Sequence, residues 1–224
     1  RWAARHYTSY DNPYISHAAL AEIGHDMSTL AVRQEIMAED MDEAPGALWT
    51  RALIEQGRVG AAPELVRVVV GVDPPGGAPE CGIVVAGRAA DGQRYVLADY
   101  SRQATPERWA EAVLDAYEAY NADRVVGEAN YGGDMVQSTV LAAARARGIS
   151  VSYKAAHATR GKAVRAEPCV ARFERGEAHL VGEHPMLEEE MTLWIPGQSG
   201  ASPNRVDSMV WAMTELAAVG TPAQ

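Results

Sequence analysis

The stretch Val66-Arg-Val-Val-Val-Gly-Val-Asp-Pro-Pro-Gly-Gly77 decides how this chain reads. Five valines in seven residues predict a strand buried on both faces, because β-branched side chains suit a pleated, packed surface. The run ends on a carboxylate, Asp73, followed at once by two prolines and two glycines. A charge at the mouth of an apolar strand is costly unless something pairs with it. Arg124-Val-Val-Gly-Glu-Ala-Asn-Tyr-Gly-Gly133 repeats the design, with Glu128 closing a short apolar run ahead of glycines. Each acid alone also reads as an ordinary turn-forming or helix-capping residue. Two strand-end carboxylates lying near each other would repel, and a divalent cation between them removes the repulsion. Hard oxygen donors with no Cys or His beside them favour Mg2+ or Mn2+ over zinc.

Working outward, Cys81-Gly-Ile-Val-Val-Ala-Gly87 predicts a second strand, and Asp91-Gly92 a tight hairpin turn into a third, Arg94 to Tyr100. Thr105-Pro-Glu107 opens a helix whose apolar face carries Trp109, Val113, Leu114, Tyr117 and Tyr120. The strand holding Glu128 follows, then a helix over about 133–147 that stops at Gly148. Val151-Ser-Tyr153 starts a fifth strand, and helices are expected over about 162–174, 185–193 and 204–218, with a short turn around His179-Leu-Val181. Three antiparallel strands followed by alternating helix and parallel strand is the plan of the ribonuclease H fold: an α/β mixed sheet flanked by helices. That plan makes the first and fourth strands neighbours, which brings Asp73 to Glu128.

Residues 1–62 have a different texture. Asp11-Asn-Pro-Tyr14 signals a turn, Ser16 caps a helix from His17 to about His25, and a second helix is expected over about 29–40 before an acidic run and the break at Pro45-Gly46. This part reads as a helical linker without a sheet of its own, leaving 63–224 as the α/β domain. The composition is that of a globular chain, with 47% hydrophobic and 22% charged residues. No apolar run approaches the ~20 residues that span a bilayer, so a cytosolic, membrane-free location is expected. Cys81 and Cys169 have no metal-ligand spacing, and two cysteines make no disulfide framework. The formal net charge of -10 argues against a protein that coats nucleic acid by bulk electrostatics, although an enzyme that cuts nucleic acid keeps acids at its metal and confines basic residues to a local track.

Five segments in order carry a resemblance: Gly71-Val-Asp-Pro74, Val126-Gly-Glu-Ala-Asn130, Lys162-Ala-Val-Arg-Ala-Glu-Pro168, Arg175-Gly-Glu-Ala-His-Leu-Val-Gly182 and Ser202-Pro-Asn-Arg-Val-Asp-Ser-Met-Val-Trp-Ala212. Together, over about residues 66 to 218, they resemble the nuclease domain of the large terminase subunit of tailed phages, which has relatives in gene transfer agents. The opening segment up to Gly46 looks like the tail of the ATPase domain and linker that precede this nuclease. The resemblance implies a ribonuclease H-like fold and double-strand cuts that begin and end packaging of a DNA concatemer into a procapsid, in the cytoplasm of a bacterial host. It also implies Asp73, Glu128 and Asp207 as the metal-binding, catalytic acids, and duplex DNA, the ATPase domain, portal and small terminase subunit as partners. Relatives commonly read Pro-Asp-Arg-x-Asp where this chain has Pro203-Asn-Arg-Val-Asp207, so a charge is missing at Asn204. The ATPase half is not seen, since no Gly-x-x-x-x-Gly-Lys-Ser/Thr loop occurs.

Phosphodiester hydrolysis needs an activated water, a neutralised phosphate and a stabilised leaving oxygen, which two metals about 3.5–4 Å apart supply together. Asp73 is then the bridging ligand, with Glu128 on one metal and Asp207 on the other. Asp207 also reads as a first-turn acid favoured by the helix dipole. Asp134 and Asn204 are auxiliary candidates, Asp134 with an alternative reading as an N-terminal helix acid and Asn204 as an N-cap. Arg160, Lys162 and Arg165 form the clearest local basic cluster, read either as a phosphate-contacting track or as a solvated helix start. Trp194, Trp211 and Tyr117 fall at core spacing. Rival readings are an actin-like or sugar-kinase ATPase, whose first hairpin also has strand, Asp, glycine-rich turn and strand; a branched-DNA resolvase or transposase of the same superfamily; and a DNA-binding assembly module with a vestigial site.

Overall fold

A computed structural model describes residues 7–25, 36–38, 44, 46–75, 80–129, 133–198 and 202–217, with backbone alone at 24, 25, 133 and 134. The chain divides into two compact units, Arg1–Pro45 and Gly46–Gln224. In the first, a single 3-10 turn at Ser9–Asp11 is held by Asp11, whose Oδ2 accepts from the Thr8 backbone N–H at 2.7 Å. Helix α1, His17–His25, starts where the sequence places it, with Ser16 Oγ accepting from the Ala19 N–H at 3.1 Å. The helix expected over 29–40 lies outside the described residues except for 36–38.

The second unit begins before residue 63. Helix α2, Arg51–Gln56, is capped by Thr50, whose side chain accepts from the Leu53 N–H. Strand β1, Arg58–Val59, follows it into the sheet. Trp49 and Ile54 are fully buried in the main core, so the segment that reads as linker is part of the domain from Gly46 onward.

The remaining elements are β2 (Leu65–Asp73), β3 (Glu80–Ala89), β4 (Arg94–Asp99), β5 (Arg102–Gln103), α3 (Pro106–Ala119), β6 (Arg124–Glu128), α4 (Gly133–Arg147), β7 (Tyr153–Ala156), α5 (Lys162–Glu174), β8 (Ala178–Val181), α6 (Pro185–Leu193) and α7 (Asn204–Glu215). The sheet order is β1-β8-β4-β3-β2-β6-β7, with β5 paired to the start of β3. β2 and β4 run antiparallel to β3, while β6, β7, β8 and β1 add parallel pairs. This is the mixed, helix-flanked ribonuclease H-like sheet that the element order predicts. His179-Leu-Val181 is a strand and not a turn, since β8 pairs parallel to both β4 and β1.

The period of two along β2 sends Val68, Val70 and Val72 to the core under α3 and α4, and Val69 to the core under α2, α5, α6 and α7. Gly71 and Asp73 share the face of Val69. At Gly71 an added Cβ would lie 2.0 Å from the Ser208 carbonyl oxygen, and at Gly82 of β3 it would lie 1.8 Å from that of Asn204. Glycine at both positions lets the α7 backbone rest directly on the two central strands. Among the described residues no helix is long and apolar enough to cross a membrane.

Candidate active site

β2 pairs parallel with β6 from Val69 opposite Arg124 to Val72 opposite Gly127. One step further along that register Asp73 comes beside Glu128. Both point to the α7 face, because Asp73 follows Val69 and Gly71 at even spacing and Glu128 follows Val126. Asp207 reaches the same place from above. It stands in the first turn of α7, which the two glycines hold against the sheet, and it is 2% exposed. Asp73 is 3% exposed, whereas Glu128 is half-buried and forms the open side.

The charges here are not balanced. Burial pushes the Asp73 carboxyl up to about 9, the neighbouring Glu128 and Asp207 push the same way, and Lys162 opposes them. Burial also raises Asp207, against the pull of two cations. Lys162 Nζ is bonded to Asp207 Oδ2 and to Ser202 Oγ (2.6 Å). Arg165 Nη2 lies 3.4 Å from Asp207 Oδ1, and its guanidinium stacks 4.2 Å above the Trp211 ring. Two residues of the expected phosphate track therefore turn inward onto an acid of the site, and Arg160 stays exposed. The side chain of Asp134 lies outside the described residues.

Asn204 does not cap α7. Pro203 holds the N-cap position, and Asn204 is the first helical residue, buried, with its amide donating to the Glu80 carbonyl oxygen. Its Oδ1 is buried without a hydrogen-bond donor. The start of α7 is fastened instead by Arg205 and Glu190. Arg205 binds Glu80 at the head of β3 (Nε to Oε2, 3.1 Å) and Asp99 at the end of β4. Glu190 of α6 accepts the Val206 N–H at 2.7 Å, and burial raises its carboxyl to about 7. Neither role is visible in the sequence: Glu190 sits in a run of three acids, Glu188-Glu-Glu190, and only tertiary packing tells which of them turns inward.

The donor chemistry suits a hard divalent cation. Carboxylates from β2, β6 and α7 lie near one another, burial pushes the Asp73 carboxyl upward, and the Lys162 ammonium supplies positive charge at Asp207. No three His, Cys, Asp or Glu side chains among the described residues stand at metal-ligating spacing.

The fold and this site define a ribonuclease H-like domain. The terminase ribonuclease H-like domain family matches residues 70–216, about two thirds of the chain, and the chain belongs to that family. No curated protein matches it by sequence. Among solved structures it is similar to the large terminase of a thermophilic bacteriophage, with 13% identity, 94% of this chain and 55% of that one covered, and a TM-score of 0.57. It is also similar to the large terminase of bacteriophage HK97, with 15% identity, 92% and 51% covered, and a TM-score of 0.53. The Thermus thermophilus RuvC bound to a Holliday junction matches at 19% identity over 66% of this chain and 91% of that one, with a TM-score of 0.42. Identities this low speak to the fold alone. The chain spans about half the length of the large terminases it matches.

Proposed function

We propose that this domain is a divalent-metal-dependent endonuclease that cuts double-stranded DNA, and that it works within a large terminase at the start and end of packaging a concatemer into a procapsid. The observation that carries this reading is the meeting of Asp73 and Glu128 on neighbouring parallel strands beneath Asp207. Family membership and the likeness to two phage large terminases support the packaging context, with residues 1–45 as the tail of a preceding ATPase domain. Two Mg2+ or Mn2+ ions held by Asp73, Glu128 and Asp207 would supply the activated water and the Lewis acidity for phosphodiester hydrolysis.

The chain's own residues perform the rest. Asp73 would be ionised with a divalent cation beside it, and its place on the central strand fixes its position. Lys162 and Arg165 pair with Asp207 in the free protein and would become available to phosphate when that carboxylate is engaged elsewhere. Arg205 and Glu190 keep the first turn of α7, and so Asp207, in register with the strands. Incubation of the purified chain with supercoiled plasmid and Mn2+, Mg2+ or EDTA tests the reading. Nicked and linear products with metal and none with EDTA are expected. Plasmid left intact by Mn2+ at high enzyme concentration overturns it.

A further inference from the structure

Further along α7 from Asp207, a pocket of about 240 Å3 opens between β4, α5 and α7. Four arginines line it, Arg94, Arg160, Arg165 and Arg172, and no acidic residue does. Arg165 and Arg172 are seven apart on α5, hence on one helix face, two turns apart. Arg94 forms the floor from β4: it is 5% exposed, and its Nη1 donates to the Met213 carbonyl oxygen at 3.0 Å. Arg172 keeps one carboxylate partner, Glu177, at 2.9 Å, and Arg165 is drawn to Asp207 at 3.4 Å. Arg94 has no carboxylate partner among the described residues. Its Nε, together with Nε and Nη1 of Arg165, is buried with no hydrogen-bond acceptor.

Buried guanidinium donors left unpaired cost free energy, and native proteins satisfy nearly all such groups. Burial and the charge of Arg172 bring the Arg94 guanidinium down to about 10. An oxyanion with several acceptor atoms would relieve the repulsion between the arginines that line the pocket. Planar guanidinium forks match phosphate geometry in pairs, which an isolated lysine does not. Surface-exposed Arg160 stands at the rim, so the pocket is reached from solvent.

We infer that this arginine pocket, which adjoins the acid cluster through Arg165, is a phosphate-binding site that takes the oxyanion of a phosphate ester. Two sources share that chemistry, the backbone of bound DNA and a free phosphate or mononucleotide. The site does not depend on nuclease activity. Trp211 lines the pocket under Arg165 and reports occupancy by its fluorescence.

The test titrates the full chain with inorganic phosphate in EDTA at constant ionic strength, with chloride as the balancing anion. A saturable change in emission that is absent from Trp211→Phe is expected. Arg94→Met and Arg172→Gln should each raise the half-saturating phosphate concentration roughly tenfold or more, the effect of losing one charge-assisted bond. Should Arg94→Met fold poorly, Arg172→Gln at the solvent side reads the site alone. A short duplex that displaces phosphate assigns the site to the DNA backbone, and phosphate binding that duplex leaves untouched assigns it to free phosphate or a mononucleotide. No change beyond the chloride control, or half-saturation unaltered in Arg172→Gln, overturns the inference.

Discussion

Helix α7 carries a buried carboxylate at each end, and the two differ in kind. Near its C-terminus, Glu215 is 5% exposed and is met by Arg67 and Arg124 at 2.8 Å and by Lys154 at 2.6 Å. Burial pushes that carboxyl up, but the bonds and charges of Lys154 and Arg124 win and hold it below the usual carboxylate range. At the N-terminus Asp207 also has two cationic neighbours, yet it remains raised, and Asp73 below it faces two carboxylates. One end is a clamp between a helix and three strands. The other is short of positive charge, and clustered acids displaced from their ordinary titration mark a functional site more often than a structural one.

The largest effect should come from the deficient end. Asp73→Asn is expected to drop metal-dependent plasmid cleavage to the EDTA background, because it removes the charge of the proposed bridging ligand. The same change should stabilise the metal-free protein at neutral pH. A carboxyl ordinarily near 3.8 that titrates at about 9 in the fold contributes stability in full below about 3.8, and loses it as pH rises through 9. Thermal melts in EDTA should therefore show the parent weakening from about pH 4 to 9, with a flatter profile for Asp73→Asn. Equal slopes for the two proteins would remove the contrast between the ends.

Gly71→Ala should come next. Its Cβ would meet backbone of α7, which has no flexible end to move aside, so the cost is that of overpacking, about 1–3 kcal/mol by urea unfolding. Cleavage should fall by about a hundredfold, since a shift of about 1 Å at Asp207 suffices for that. Glu215→Gln should cost about 2 kcal/mol, the range of charge-assisted bonds, while specific cleavage activity per folded molecule stays near the parent's. If it instead abolished cutting without loss of stability, the clamp would belong to the site. The smallest effect is expected from Asn204→Ala. The lost bond to Glu80 costs about 1 kcal/mol, and removal of the unpaired Oδ1 offsets part of it. Cleavage should persist; its loss at unchanged melting temperature would make Asn204 a ligand.

Local pattern accounts for much of this molecule. Valine runs, the Asp91-Gly92 turn, the Pro106 helix start and the Gly148 stop are read from neighbours in sequence, and the described elements follow them closely. Short elements escaped that reading. β8 has four residues and β1 two, too few for a period to show, and both exist because an adjacent strand completes their hydrogen bonds. Residues 49–59 read as linker because their apolar side chains, Trp49 and Ile54 among them, pack on partners more than a hundred residues away.

By itself the sequence determined that two strands end in acids, that a third acid opens the last helix, and that the order of elements makes the two strands neighbours. Tertiary structure alone decided what surrounds those acids. Arg205 reaches Glu80 and Asp99 across more than a hundred residues, Lys162 and Arg165 turn onto Asp207 instead of outward, and Arg94 enters a pocket without a carboxylate. The physical reason is that strand and helix periodicities are local steric properties of the chain. The balance of a buried charge is a sum over whatever the fold brings within a few ångströms.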